Sequence, residues 1–131
     1  MAAWLFMPLL TYGLKKQVSL PGLKKGDAMI KHIVMWHVRG ASEAEKATSI
    51  AQLKSSFESL RGQIPGLLHL ELGIDTSRID YACDVVLYTE FDTQDSLNAY
   101  ASHPEHLRVK EEVANLRTSR FQVDYTPPLI L

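Results

Sequence analysis

One cysteine in 131 residues leaves no internal disulfide to form, so nothing in the chain asks for an oxidising compartment. Charge of either sign is not in excess. A formal net charge of -1 supplies no field to draw nucleic acid or an anionic membrane. Long apolar runs are missing too: residues 1–14, the greasiest stretch, are too few to span a bilayer. There is no Gly-x-Ser-x-Gly elbow, no glycine-rich phosphate loop and no zinc-type spacing of Cys and His. We therefore expect no cofactor, no metal, no nucleic-acid partner and no membrane. What is present, 46% hydrophobic and 22% charged residues, is the composition of one ordinary globular domain, expected in the cytoplasm.

Residues 1–28 read as an extension with no structure of its own. Its lysines follow the apolar run, whereas a secretory signal carries its positive charge first. Pro8 interrupts any helix that could lie on a membrane surface. The peptide Lys24-Lys25-Gly26-Asp27-Ala28-Met29 can be back-translated as AAG AAG GGA GAC GCC ATG, which places a purine-rich GGGAG ahead of an ATG. The expectation is a translated upstream region and a natural start at Met29. Four lysines and Asp27 give this segment a net +3, leaving -4 on residues 29–131.

From Met29 the patterning is regular. "IKHIVMWHV" (Ile30–Val38) is short and rich in β-branched and aromatic residues, which predicts a strand. Ser42 with Glu45 forms a capping-box signature. Behind it Ala47, Ile50, Leu53, Phe57, Leu60 and Ile64 recur at helical spacing, until Pro65-Gly66. "LLHLELGI" (Leu67–Ile74) alternates, with Leu68, Leu70, Leu72 and Ile74 on one side. A third strand is expected over Asp84–Phe91 and a second helix over Thr93–His103, capped by Asp92. Pro104 suits the first turn of another helical segment, with Ser102 or His103 as its cap and Val109, Val113 and Leu116 as its apolar side. Residues Ser119–Thr126 close the series as a fourth strand.

The order β-α-β-β-α-β predicts an α+β, ferredoxin-like domain: four antiparallel strands with the helices on one face. Both faces of the central strands are apolar, Val34, Trp36 and Val38 against Ile33 and Met35, and Val85, Leu87 and Phe91 against Val86 and Tyr88. Helices can cover only one of them. A second copy of the chain, sheet against sheet, is the economical cover for the other.

"IKHIVMWHV", "PGLLHLELGID", "DVVLYTEFDTQDSLNAYASHPEH" and "RFQVDYTP" together resemble the stress-responsive α/β-barrel (Dabb) domain family, from Met29 to Pro127. The resemblance implies a dimeric α+β barrel that begins near Met29. Many members have no assigned activity, and plant members are described as stress-induced or very stable oligomers. One member, olivetolic acid cyclase, closes a linear polyketide without a cofactor. Its motif residues fall on His32, Tyr100 and His106 here. Its third-strand histidine has no counterpart, since Asp84, Val85 and Val86 occupy that region.

Two functions follow as expectations. The first is a binding or stress-protective homodimer whose pocket takes a small apolar ligand, with Trp36, Asp84 and His103 as candidate binding residues. The second is a cyclase-like proton-transfer enzyme in which His32 is general base and His106 and Tyr100 orient or polarise a carbonyl. Monooxygenase chemistry, known from other ferredoxin-like barrels, has only fold-level likeness behind it. Each residue also has a plainer reading. His32 can be a buried, hydrogen-bonded core histidine, and Tyr100 a buried ring. His103 and His106 can belong to a helix junction or, with further ligands, to a metal site. His37 and His69 read as interface or rim residues, and Cys83 as a small core residue.

Overall fold

Nine consecutive residues that include four valines or isoleucines and a tryptophan make a poor helix and a good sheet centre. A computed structural model describes residues 28–128, and in it Ile30–Val38 is strand β1. Helix α1 (Glu43–Glu58), strands β2 (Leu67–Ile74) and β3 (Val85–Phe91), helices α2 (Gln94–Ser102) and α3 (Pro104–Val113), a 3-10 turn (Ala114–Leu116) and β4 (Arg117–Tyr125) follow. All but the last residue of the 1–28 extension lies outside the described residues.

The sheet runs β2-β3-β1-β4, every neighbour antiparallel. This is the ferredoxin-like α+β arrangement expected from the element order. All the α-helices among the described residues pack on one face. Leu53 and Phe57 of α1, Leu97 and Tyr100 of α2, and Val109 and Val113 of α3 bury against Val34, Trp36, Val38, Leu72, Val85, Leu87 and Phe91 of the sheet. Each such apolar side chain contributes roughly 1.5–3 kcal/mol on leaving water. Leu60 and Ile64 are buried as well, but in the turns after α1 rather than in the helix. Ala47, expected on the same stripe, is exposed at the solvent end.

The helix starts show local chemistry at work. Ser42 Oγ accepts the Glu45 N–H, and the Glu45 carboxylate reaches back to the Ala41 N–H at 2.6 Å. The cap of α2 is Thr93, not Asp92: Thr93 Oγ1 accepts the Ser96 N–H at 3.1 Å. Asp92 instead donates its N–H to the Gly66 carbonyl. Gly66 sits at φ +82, and a Cβ there would lie 2.3 Å from Ser96 Oγ. That tight approach locks the end of the α1–β2 connection onto the start of α2.

Strand β2 corrects the simple alternation. Its register shifts between Leu67, paired with Phe91, and His69, paired with Glu90. Leu68 is the extra residue of this bulge and faces solvent, while Leu67 packs on the core in its place. Ile74, at the far end, is also exposed.

Candidate functional site

Along β1 the inward positions are Ile30, His32, Val34, Trp36 and Val38, all buried. A histidine in this row needs a partner, and β4 supplies it. The antiparallel register sets His32 opposite Asp124, and His32 Nδ1 donates to Asp124 Oδ1 at 2.5 Å. The other carboxylate oxygen accepts from Gln122 Nε2 at 2.9 Å. With Nδ1 carrying its proton to a carboxylate, Nε2 of the neutral ring is left with a free lone pair. The His32 carbonyl is also occupied, accepting the buried Thr89 hydroxyl at 2.8 Å.

The helices bring the other aromatic groups over this dyad. Tyr100 packs edge-on to His32, with ring centroids 6.2 Å apart, and His106 lies over Tyr100 at 3.9 Å. Burial pushes the Tyr100 phenol up, against the opposing charges of Arg120 and Arg117, so the group stays a hydrogen-bond donor across the physiological range. Burial likewise pulls the His106 imidazole below its ordinary value; the Ala101 carbonyl opposes this and the Lys110 charge adds to it. His106 Nδ1 donates to that carbonyl at 3.3 Å, which leaves Nε2 as an acceptor.

Together these side chains line a cavity of about 580 Å³ between the β1–β4 half of the sheet and helices α2 and α3. Val34, Leu87, Leu97 and Phe57 give it an apolar floor, and Lys110, Arg117 and Arg120 bring charge to it. Trp36 forms one wall, stacked on Phe57 at 5.3 Å with the Arg117 guanidinium 5.2 Å from its ring centre. Of the six residues singled out in the sequence, His32, Trp36, Tyr100 and His106 meet in this one cavity.

Asp84 and His103 do not line it. Asp84 ties the strand ends together: its carboxylate accepts the Val38 N–H at 2.8 Å and faces Lys46 at 3.6 Å, and its own N–H donates to the Trp36 carbonyl. His103 is the cap of α3. Its Nδ1 accepts the Glu105 N–H at 3.1 Å, with Pro104 in the first turn where no N–H is needed. The "SHPEH" stretch is thus a helix junction whose first histidine holds the break and whose second enters the cavity. His37 points to the opposite face, where Nδ1 meets Ser119 Oγ. Among the described residues no three of His, Cys, Asp and Glu converge as metal ligands would.

Asp124, Gln122, Arg117 and Arg120 escaped the sequence reading. For Arg120, Gln122 and Asp124 the signal is the polar half of the β4 alternation beside Phe121, Val123 and Tyr125. Arg117 shares the parity of the apolar half and faces the cavity only past the register shift between His37 and Val38.

The chain also matches a family model, the stress responsive A/B barrel domain, Dabb, over residues 30–127. It belongs to that family. The Dabb domain here is similar to a dimeric ferredoxin-like protein of unknown function from Bacteroides fragilis, at 31% identity and TM-score 0.67, covering 77% of this chain and 98% of that one. A dabb family protein from Mesorhizobium loti is 22% identical with TM-score 0.61, covering 76% and 97% of the two chains. A hydroxynitrile lyase from Passiflora edulis shares the fold at 12% identity and TM-score 0.63, covering 77% and 94%. No curated protein matches the chain. No helix among the described residues is long and apolar enough to cross a membrane.

Proposed function

We propose that this Dabb protein is a small-ligand-binding or stress-protective homodimer, acting in the cytoplasm, with the β1–β4 cavity as its binding site. The cavity itself carries the reading: an apolar floor beneath a few convergent polar groups is how small-molecule sites are built. The dimer is supported by the outer face of the sheet, which no helix among the described residues covers and where Phe121, Val123 and Tyr125 are exposed, and by the dimeric Bacteroides fragilis relative. Native mass spectrometry of the purified protein tests both parts. The expected species is a dimer that releases a small organic molecule on denaturation, and His32→Ala and His106→Ala variants that keep their fold should lose it. A folded protein with identical ligand content in both variants contradicts the pocket assignment.

One observation favours a second reading, a cofactor-independent proton-transfer enzyme: the His32–Asp124 pair fixes the tautomer that leaves Nε2 free as a base. Tyr100 would polarise a carbonyl as a neutral donor, and His106 would orient it. Deuterium exchange at the acidic carbon of a 1,3-dicarbonyl is a direct assay. This reading expects exchange above the buffer rate and a fall of about 100-fold or more in His32→Ala, in the usual range for a lost general base. Exchange at the buffer rate in the parent protein ends it.

A further inference from the structure

The charged side chains of the cavity are mostly cations. Among the described residues neither Arg117, Arg120 nor Lys110 has a carboxylate within 4.0 Å, although every other cavity side chain with a charge has found a partner: Asp124 is bonded through both oxygens, to His32 and to Gln122. Arg117 is half-buried against the Trp36 ring, where burial lowers its affinity for a proton and Arg120 adds to the effect. The Trp36 indole N–H, in the same wall, is buried and meets no acceptor. Three cations and an orphan donor thus border an apolar floor. A desolvated guanidinium with no counter-ion costs energy that a bound anion removes.

We propose that the cavity binds an organic monocarboxylate, its carboxylate held by Arg117 and Arg120 and its apolar body lying against Val34, Leu87 and Leu97. This rests on the pocket assignment above and adds the chemistry of its ligand. A planar carboxylate matches the guanidinium fork. The Asp124 carboxylate in the same cavity repels a dianion, which argues against phosphate and dicarboxylates.

Calorimetric titration of the full-length protein tests this with octanoate and benzoate, their neutral counterparts octanol and benzyl alcohol, and octyl phosphate. A carboxylate is expected to bind at least about tenfold more tightly than its alcohol and than the phosphate. Arg120→Gln, at an exposed position, should bring carboxylate affinity down to that of the matching alcohol, and Arg117→Gln should do the same if its melting temperature shows it folded. Alcohols that bind as well as carboxylates, or a preference unchanged in Arg120→Gln, overturn the carboxylate assignment and leave the pocket standing. A preference for octyl phosphate reassigns the site to phosphate esters and likewise overturns it. No heat from any of the five overturns both.

Discussion

The two faces of one sheet, built from alternate residues of the same strands, have opposite fates. On the inner face Val34, Trp36 and Leu87 are 2%, 2% and 1% exposed. On the outer face Phe121, Val123 and Tyr125 are 52%, 49% and 40% exposed. Composition does not separate them, since both rows are apolar or aromatic; the helices do. The inner face also carries the polar inventory of a site, a histidine–carboxylate pair, a phenol and three cations, held above a packed floor. The outer face carries polar groups of another kind. They pair locally across its surface: His37 with Ser119, His69 with Glu71, Tyr88 with Glu90, and Lys31 over the rings of Tyr88 and Tyr125. Such self-satisfied groups around Met35, Val86, Phe121 and Val123 make a surface ready for docking at little polar cost. One face holds the cavity proposed for a ligand and the other the surface proposed for a second copy.

The contrast can be broken from either side. The largest effect belongs to the inner face. Phe57→Ala removes the ring beneath Trp36 and should lower unfolding stability by about 3–5 kcal/mol in denaturant titration. Val123→Asp attacks the outer face alone. It should raise the dimer dissociation constant about 100-fold or more by sedimentation, since each interface would then bury an unpaired carboxylate, while far-UV circular dichroism stays unchanged. Asp124→Ala leaves the buried Nδ1–H of His32 without its acceptor, a loss of about 1–3 kcal/mol in stability with no change in dimerisation. Ser42→Ala, remote from both faces, should cost about 1 kcal/mol.

The smallest effect is a matter of pH. His106 has its folded-state affinity for protons depressed by burial, so the unfolded chain protonates first as the solution is acidified. The stability that depends on neutral His106 is whole above pH ~6.5 and is lost as pH falls through the depressed folded value. Replacing His106 with Asn should flatten the stability–pH curve below pH ~6.5, and an unchanged slope would show that the ring is not desolvated in solution.

How much of this was written in the chain depends on the range of the cause. Strand β1 and the junction at Pro104 were legible because β-branched residues and a proline act on their own backbone. The inward row of β1 was legible because period two needs no partner strand. Leu68 was misplaced because a bulge is a property of the pairing with Phe91 and Glu90, which lie far along the chain. Asp92 was preferred to Thr93 as a cap because both are good caps, and only the Gly66 carbonyl, arriving from another loop, decided between them. Asp124 went unnoticed for the same reason: its meaning comes from facing His32 across the β1–β4 ladder. His32, Tyr100 and His106 were found through family resemblance, and the geometry that brings them into one cavity is a consequence of the fold.

The central claim is that a second copy covers the outer face while the cavity stays on the inner one. Sedimentation equilibrium of the full-length protein at micromolar concentration, beside Val123→Asp, tests it most directly. The account predicts twice the chain mass for the parent and the single-chain mass, still folded, for the variant. A folded single chain for the parent, or a dimer that the aspartate leaves untouched, would contradict it.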